Sequence, residues 1–365
     1  MTAWTLHRLH RRRLATQRLS APGPARGADV VRLLGCVQSQ DAPLAAWSLG
    51  LRMAPGATYA GVLAEQSAGG WVRTHLLRPT WHLVAPEDLR WMQALTGPRV
   101  ESGMAGVNAR LGLTEDVVIT ALRVLEPLLA GPTPRTRREI RVAFEAAGLP
   151  TAVQHLAHLV MIPEVRGIIC SGPPRGTEHT YVLVDETLPT SPSDQLTGED
   201  ARRELTRRFM RGHGPASERD LARWSTLTLR QIRSALTDLA EGLEHVEVDG
   251  EQLWFDPAMP ARTRTEHEAY LLPTFDEACL TYAATGFLRR APDAPRQRLV
   301  AEAGGGIVVL HGQDVGIWKR VLSPKEVRVN VQQDVPLGSA ERDAVTSAAQ
   351  RLADFVERPL EVAFV

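Results

Sequence analysis

Two neutral amides, Gln38 and Gln40, stand at i, i+2 in the segment Gln38-Ser39-Gln40-Asp41-Ala42-Pro43. An amide is a poor general base and a poor nucleophile, so such a pair suits hydrogen bonding and not proton abstraction. By spacing alone the two glutamines read as solvent-facing residues at a helix end. Asp41 is the stronger base, but neighbours at i, i+1 do not share a helix face, so it reads as a cap, turn or support.

Other chemistry has little footing. His155 and His158 lie at i, i+3 on one expected helix, without an HExxH pattern or a carboxylate set, and read as polar or packing residues. Gly304-Gly305-Gly306 precedes a strand and no helix follows, so it reads as a turn and not a phosphate loop. Cys36, Cys170 and Cys279 are scattered and form no CxxC pair, which argues for a reducing cytosol, no disulfide framework and no structural zinc. No metal and no organic cofactor is expected. No apolar run is long enough to span a bilayer, and the basic N-terminus has no apolar core behind it, so no secretory signal is expected. The expected compartment is the cytoplasm.

The elements that must position the glutamines follow from periodicity. Residues 28–40 repeat apolar side chains at the 3.6 period (Val30, Val31, Leu33, Leu34, Val37) and predict one helix ending on the glutamines. A short helix over 61–67 and strands over 71–77 and 80–84, turning at Arg78-Pro79, complete a helix-then-hairpin unit. The order recurs. Helices are expected over 114–129 (N-cap Thr114), 136–147 and 152–161, the last stopped by Pro163. Strands over 167–170 and 180–184 then frame a loop over 171–179. After a joint at 188–196, helices over 198–211, 217–224 and 228–239 precede a hairpin turning at Asp249-Gly250, with Ser217 and Thr228 as caps. The tail predicts antiparallel strands over 303–309, 311–318 and 326–331, a helix over 339–356 and a final strand over 360–365. The fold class expected is α+β: three tandem winged-helix motifs (1–112, 113–190 and 191–260) and a small β-barrel-like C-terminal subdomain (261–365).

Net charge is zero, but it is unevenly spread. Residues 1–80 hold ten arginines and three acids, a local charge of +7 that the remainder cancels. A basic unit on an acidic remainder suits phosphate binding. Candidate DNA contacts are Arg11, Arg12, Arg13, Arg73 and Arg78 in that unit, and Arg137 and Arg138 in the cluster that also holds Arg135 and Arg141.

Four stretches resemble one family in its own order. Residues 32–53 contain the Gln38/Gln40 pair followed by Asp41 and, later, Arg52. Arg78-Pro79-Thr80-Trp81-His82 resembles an Arg-Gly-Thr-x-His wing. Leu271-Leu272-Pro273-Thr274-Phe275-Asp276-Glu277 resembles a Leu-Leu-Pro-x-Phe-Asp-Glu stretch. Gly312-Gln313-Asp314-Val315-Gly316-Ile317-Trp318 resembles a late Gly-x-x-x-Gly-x-Trp hairpin. The family is that of the AlkZ/YcaQ-like winged-helix DNA glycosylases, and the Gln-x-Gln form is closer to its azinomycin-resistance branch. Ser39 replaces an aliphatic residue expected between the glutamines, and Pro79 replaces the wing glycine.

The resemblance implies a C-shaped monomer with double-stranded DNA in its concave channel and Gln38 and Gln40 as the catalytic pair. It implies hydrolysis of the N-glycosidic bond of alkylated purines, including bulky or crosslinked adducts. Two amides can suffice for that task. An N7-alkylguanine or N3-alkyladenine is already cationic and leaves as a neutral base without a proton from the enzyme. The enzyme need only hold water at the anomeric carbon and face an oxocarbenium-like charge with amide oxygens. The competing expectation is a winged-helix DNA-binding protein without catalysis, a regulator or lesion binder, since fold alone does not choose between them.

Overall fold

Gly35 decides the first departure from the sequence expectations. The computed structural model describes residues 4–176, 178–260, 269–282, 289–290 and 304–365. Helix α1 (Leu6–Thr16) leads to α2 (Gly27–Leu34), which stops because Gly35 turns to φ +80°. The next three residues extend as β1 (Cys36–Gln38). The expected helix over 28–40 is therefore a helix plus a strand, and the glutamines lie beyond the helix. Asp41 caps α3 (Ala42–Gly50), accepting the Leu44 N–H at 3.0 Å. After α4 (Tyr59–Ser67), β2 (Val72–His75) and β3 (Trp81–Val84) form the hairpin. Strand β3 pairs with both neighbours in the order β1-β3-β2, and the register sets Gln38 opposite His82. Pro79 is accommodated in a tight tip, where Thr80 N–H donates to the Arg78 carbonyl at 2.7 Å.

The long helix α5 (Leu89–Arg110) is absent from the sequence reading. Its buried residues, among them Trp91, Met92, Gln93, Thr96 and Val100, include polar ones, and Gly97-Pro98 interrupts the pattern. The second unit runs α6 (Glu115–Leu129), β4 (Arg135–Thr136), α7 (Arg137–Ala146), α8 (Val153–Val165), β5 (Ile169–Arg175) and β6 (Glu178–Leu183), with sheet order β4-β6-β5. Helix α8 passes through Pro163 and ends at Val165, and Gly167 just beyond it, at φ +73°, reverses the chain. Proline is tolerated there because only one backbone bond, near the helix end, is lost. The expected loop over 171–179 is largely strand, since β5 and β6 pair out to Arg175 and Glu178.

Short α9 (Val184–Thr187) precedes the third unit: α10 (Gly198–His213), α11 (Glu218–Ser225), α12 (Leu229–Asp238), β7 (Glu244–Val248) and β8 (Glu251–Phe255). Ser217 with Asp220 and Thr228 with Gln231 form capping boxes at α11 and α12. Asp249 and Gly250 both take positive φ in the expected hairpin turn. Ala216 bridges Trp254 where the other two units have a strand. All three units thus share one order: helix, extended segment, two helices, hairpin.

The last unit contains β9 (Ala269–Pro273), α13 (Glu277–Leu280), β10 (Arg289–Arg290), β11 (Gly305–Leu310), β12 (Gln313–Leu322), β13 (Val327–Gln333), α14 (Ser339–Val356) and β14 (Leu360–Phe364). The expected barrel is not closed among the described residues: the path β14-β13-β12-β11-β9 has two ends, with β10 beside β12. Strand β14 runs parallel to β13, a crossover made through α14, which packs on the sheet. Gly305 and Gly306 lie within β11 and only Gly304 turns, at φ +81°. The expected strand start at 303 and the boundary at 261 lie outside the described residues. The fold is mixed α+β.

One buried cluster joins the first unit, the third and the C-terminal sheet, through residues such as Cys36, Leu76, Trp91, Phe209, Trp224 and Leu272, and reaches the hairpin of the second unit through Cys170 and Val182. The helices of the second unit also pack around a further core of Leu125, Ile140, Phe144 and Tyr181.

Candidate active site

The Gln38–Gln40 segment crosses from the end of β1 to the cap of α3, and its backbone is held from both sides. Ser39 N–H donates to the Trp81 carbonyl at 2.7 Å. The Ser39 carbonyl accepts from Arg73 Nε at 3.1 Å and Nη2 at 2.9 Å, and Ser39 Oγ accepts from Nε at 3.2 Å. Ser39 is fully buried, and this guanidinium is what occupies the space beside it.

The two glutamines differ sharply. Gln38 is buried, its Oε1 accepting from Arg78 Nη2 at 2.8 Å and its backbone N–H donating to Glu277 Oε1 at 2.8 Å. Gln40 is exposed, with a long contact of 3.4 Å from the Trp81 N–H to its Oε1. The segment therefore offers one side chain to solvent and tethers the other.

Glu277, at the start of α13, is the residue the sequence reading quoted without a role. It is fully buried, and Trp224 Nε1 donates to its Oε2 at 2.9 Å. Burial would push its carboxyl up. The His213 ring at 3.6 Å, the Arg78 guanidinium and the Gln38 N–H outweigh that and hold it down to about 2, so it is a carboxylate. Asp276 beside it grips buried Arg52 through two bonds, Nη1 at 2.8 Å and Nη2 at 2.7 Å, and accepts Ser48 Oγ at 2.6 Å. The Leu271–Glu277 stretch thus fastens the C-terminal sheet to the floor of the site. Opposite Gln38, His82 is fully buried; burial and the charge of Arg78 push it down to about 3, which keeps it neutral.

On the other side lies the second unit. His75 Nδ1 meets Glu164 Oε2 at 2.6 Å, and Trp81 Nε1 donates to Glu164 Oε1 at 3.3 Å. The Arg73 guanidinium lies over the Trp81 ring at 4.0 Å and donates to His179 Nδ1 at 3.3 Å. Because arginine can only donate, His179 Nδ1 must be the acceptor and Nε2 carries the proton, which points to Ser171 Oγ at 3.2 Å. Burial and the Arg73 charge push His179 down to about 3, consistent with that neutral tautomer.

The arginine candidates separate. Arg12, Arg13 and Arg73 are buried and engaged by the protein: Arg12 by the Met259 carbonyl at 2.9 Å, Arg13 by the Pro215 carbonyl at 2.8 Å, Arg73 as above. With buried Arg52, four of the ten N-terminal arginines do not face solvent, so the basic footprint is smaller than the charge count implies. Arg11 and Arg138 are exposed; Arg78 and Arg137 are half-buried. Arg138 has a 3.9 Å contact with Glu178. His158 binds Asn108 Oδ1 at 2.6 Å. Among the described residues no group of three or more His, Cys, Asp or Glu could hold a metal ion, and no helix is long and apolar enough to cross a membrane.

Residues 31–355 match the family described as "DNA glycosylase AlkZ-like". An "Interstrand DNA cross-link repair glycosylase" of Streptomyces sahachiroi is 24% identical over 288 residues, which cover 74% of this chain and 67% of that protein. The solved structure of Streptomyces sahachiroi DNA glycosylase AlkZ superposes with a TM-score of 0.74 at 20% identity, covering 99% of this chain and 100% of that one. With a match spanning the glutamine pair, its clamp and the Glu277 anchor, the chain belongs to the AlkZ-like DNA glycosylase family.

Proposed function

We propose that this protein is a monofunctional DNA glycosylase that hydrolyses the N-glycosidic bond of cationic N7-alkylguanine and N3-alkyladenine, with bulky adducts and interstrand crosslinks as the extended substrate class. The observation that carries the reading is Gln40: an exposed amide next to Ser39, whose backbone is held by Arg73 and the Trp81 carbonyl. Such a group can present its oxygen to a water at the anomeric carbon, which is what a departing cationic base requires. The three helix–helix–hairpin units are read as winged helices lining a C-shaped channel for double-stranded DNA, with the protein acting as a monomer. Phosphate contacts are assigned to the arginines that reach solvent, Arg11, Arg137 and Arg138, and these position the duplex without reading its sequence.

The direct test is incubation with duplex DNA containing 7-methylguanine, followed by alkali. Strand cleavage at the lesion is expected. DNA binding without cleavage would leave a lesion binder and remove the enzyme reading.

A further inference from the structure

We propose that Arg78 is a positioning residue which sets the polarity of Gln38, so that the Gln38 NH2 faces the reaction space and Gln40 alone accepts from the water. This rests on the glycosylase reading and deepens it. The two glutamines then divide the work: one donor and one acceptor, instead of two equivalent water holders.

The argument starts from what arginine can do. Every N–H of a guanidinium donates and none accepts, so the Gln38 atom 2.8 Å from Arg78 Nη2 must be the oxygen. The amide plane is then fixed with Nε2 on the other side. Among the described residues the one side-chain hydrogen bond of Gln38 is that to Arg78, and the nitrogen is not among the enclosed atoms left without a partner, so it keeps access to the solvent side although Gln38 is only 6% exposed. A tethered donor with no protein acceptor, beside the amide that holds the water, adds little to the fold and is a good substrate contact. Its natural acceptor is an oxygen or ring nitrogen of the base being released, where electron density collects as the glycosidic bond breaks.

Arg78 is itself fixed from behind. Its Nη1 approaches the Arg223 and Trp224 carbonyls at 3.4 Å, in the last turn of α11, where carbonyl dipoles favour a cation. The Glu277 carboxylate adds its field while holding the Gln38 N–H. Three separate elements thus hold one residue: the hairpin tip through Arg78 on the side chain, the third unit through α11 behind Arg78, and the C-terminal sheet through Glu277 on the backbone N–H. A phosphate contact would need a guanidinium turned outward; here its forks point inward.

The experiment measures single-turnover release of 7-methylguanine and, separately, the Kd for the same duplex by anisotropy. Arg78→Met should slow release about 10- to 100-fold while changing Kd less than about threefold. Arg78→Lys, which keeps a donor and guards against misfolding, should recover part of the rate. The double variant Arg78→Met/Gln38→Ala should be no slower than Gln38→Ala, because Arg78 acts through Gln38. Rate losses that multiply would overturn the proposal. So would a loss confined to Kd, which would make Arg78 a phosphate contact. If the wild-type protein releases no 7-methylguanine, the glycosylase reading falls on its own, and the Arg78–Gln38 link is read by NMR. With 15N-glutamine label, the Gln38 NH2 signal, identified by its loss in Gln38→Ala, should shift in Arg78→Met; an unmoved signal sinks the link.

Discussion

The Glu277 carboxylate accepts the backbone N–H of Gln38 at 2.8 Å, joining residues 239 apart in the chain. A buried charge in that position is stabilising only while its donors remain. Glu277→Gln should therefore lower stability by about 1.5–3 kcal/mol, the range for hydrogen bonds to charged groups. The change should appear as a lower Tm with a single transition. An unchanged Tm would show that the anchor contributes nothing.

Acid should act in two overlapping stages. His82 is held neutral with its pKa lowered to about 3, so its contribution is complete above about pH 6.5 and is lost as pH falls through 3. Glu277 contributes fully above about pH 4.5, and that contribution is lost as pH falls towards 2. In melts taken from pH 7 to pH 3, Glu277→Gln should flatten only the lower part of the curve. Equal pH dependence in both proteins would assign the acid response elsewhere.

Gln40→Ala should cut excision by about 10²–10³ with nearly normal DNA affinity, the usual cost of one group that acts only at the transition state. Gln38→Ala should also slow it. Single-turnover rates beside anisotropy separate the two effects, and near-normal excision by both variants would remove the pair from the chemistry.

Buried and exposed arginines should part company. Arg138→Ala should weaken binding to all sequences alike and reduce the steepness of the salt dependence by about one counterion. Arg73→Met should instead lower Tm, since its guanidinium holds the Ser39 carbonyl and covers Trp81. Titrations between low and moderate salt, together with melts, distinguish them. A salt slope changed by Arg73→Met at constant Tm would reverse the assignment.

Lesion charge should set the substrate range. With no acid assigned to protonate a departing base, 7-methylguanine and 3-methyladenine should be released while uracil, hypoxanthine and 8-oxoguanine remain. The product should be an intact abasic site, and a chelator should leave the rate unchanged. Borohydride trapping of a covalent adduct, or robust release of a neutral base, would demand groups this site does not supply.

Legibility from the sequence followed the range of the physics. Caps and turns were readable because they are local: Thr114, Ser217, Thr228 and Asp249-Gly250 all act within a few residues of themselves. The end of α2 was misread because Val37 continues the helical period, and only the backbone of Gly35 breaks it. Helix α5 was missed because it buries Gln93, Thr96 and Asn108 among its apolar residues, which blurs any stripe. At the site, the glutamine pair was legible through resemblance, but its inequality was not. Whether an arginine faces water depends on acceptors such as the Pro215 carbonyl for Arg13, 202 residues away. Nothing near Arg13 in the sequence announces that partner.

The further core around helix α7 has a kinetic consequence. The first unit, the third and the C-terminal sheet share one apolar cluster that takes in Cys170 and Val182 of the second unit's hairpin, whereas Ile140 and Phe144 on its helix α7 belong to another. Amide protons in α7 should then exchange through an opening that leaves α10 protected, with the His75–Glu164 pair as part of the latch between the two. The division of the interior leaves one section able to breathe while the floor beneath Gln38 stays shut, and it supplies a place for motion to begin.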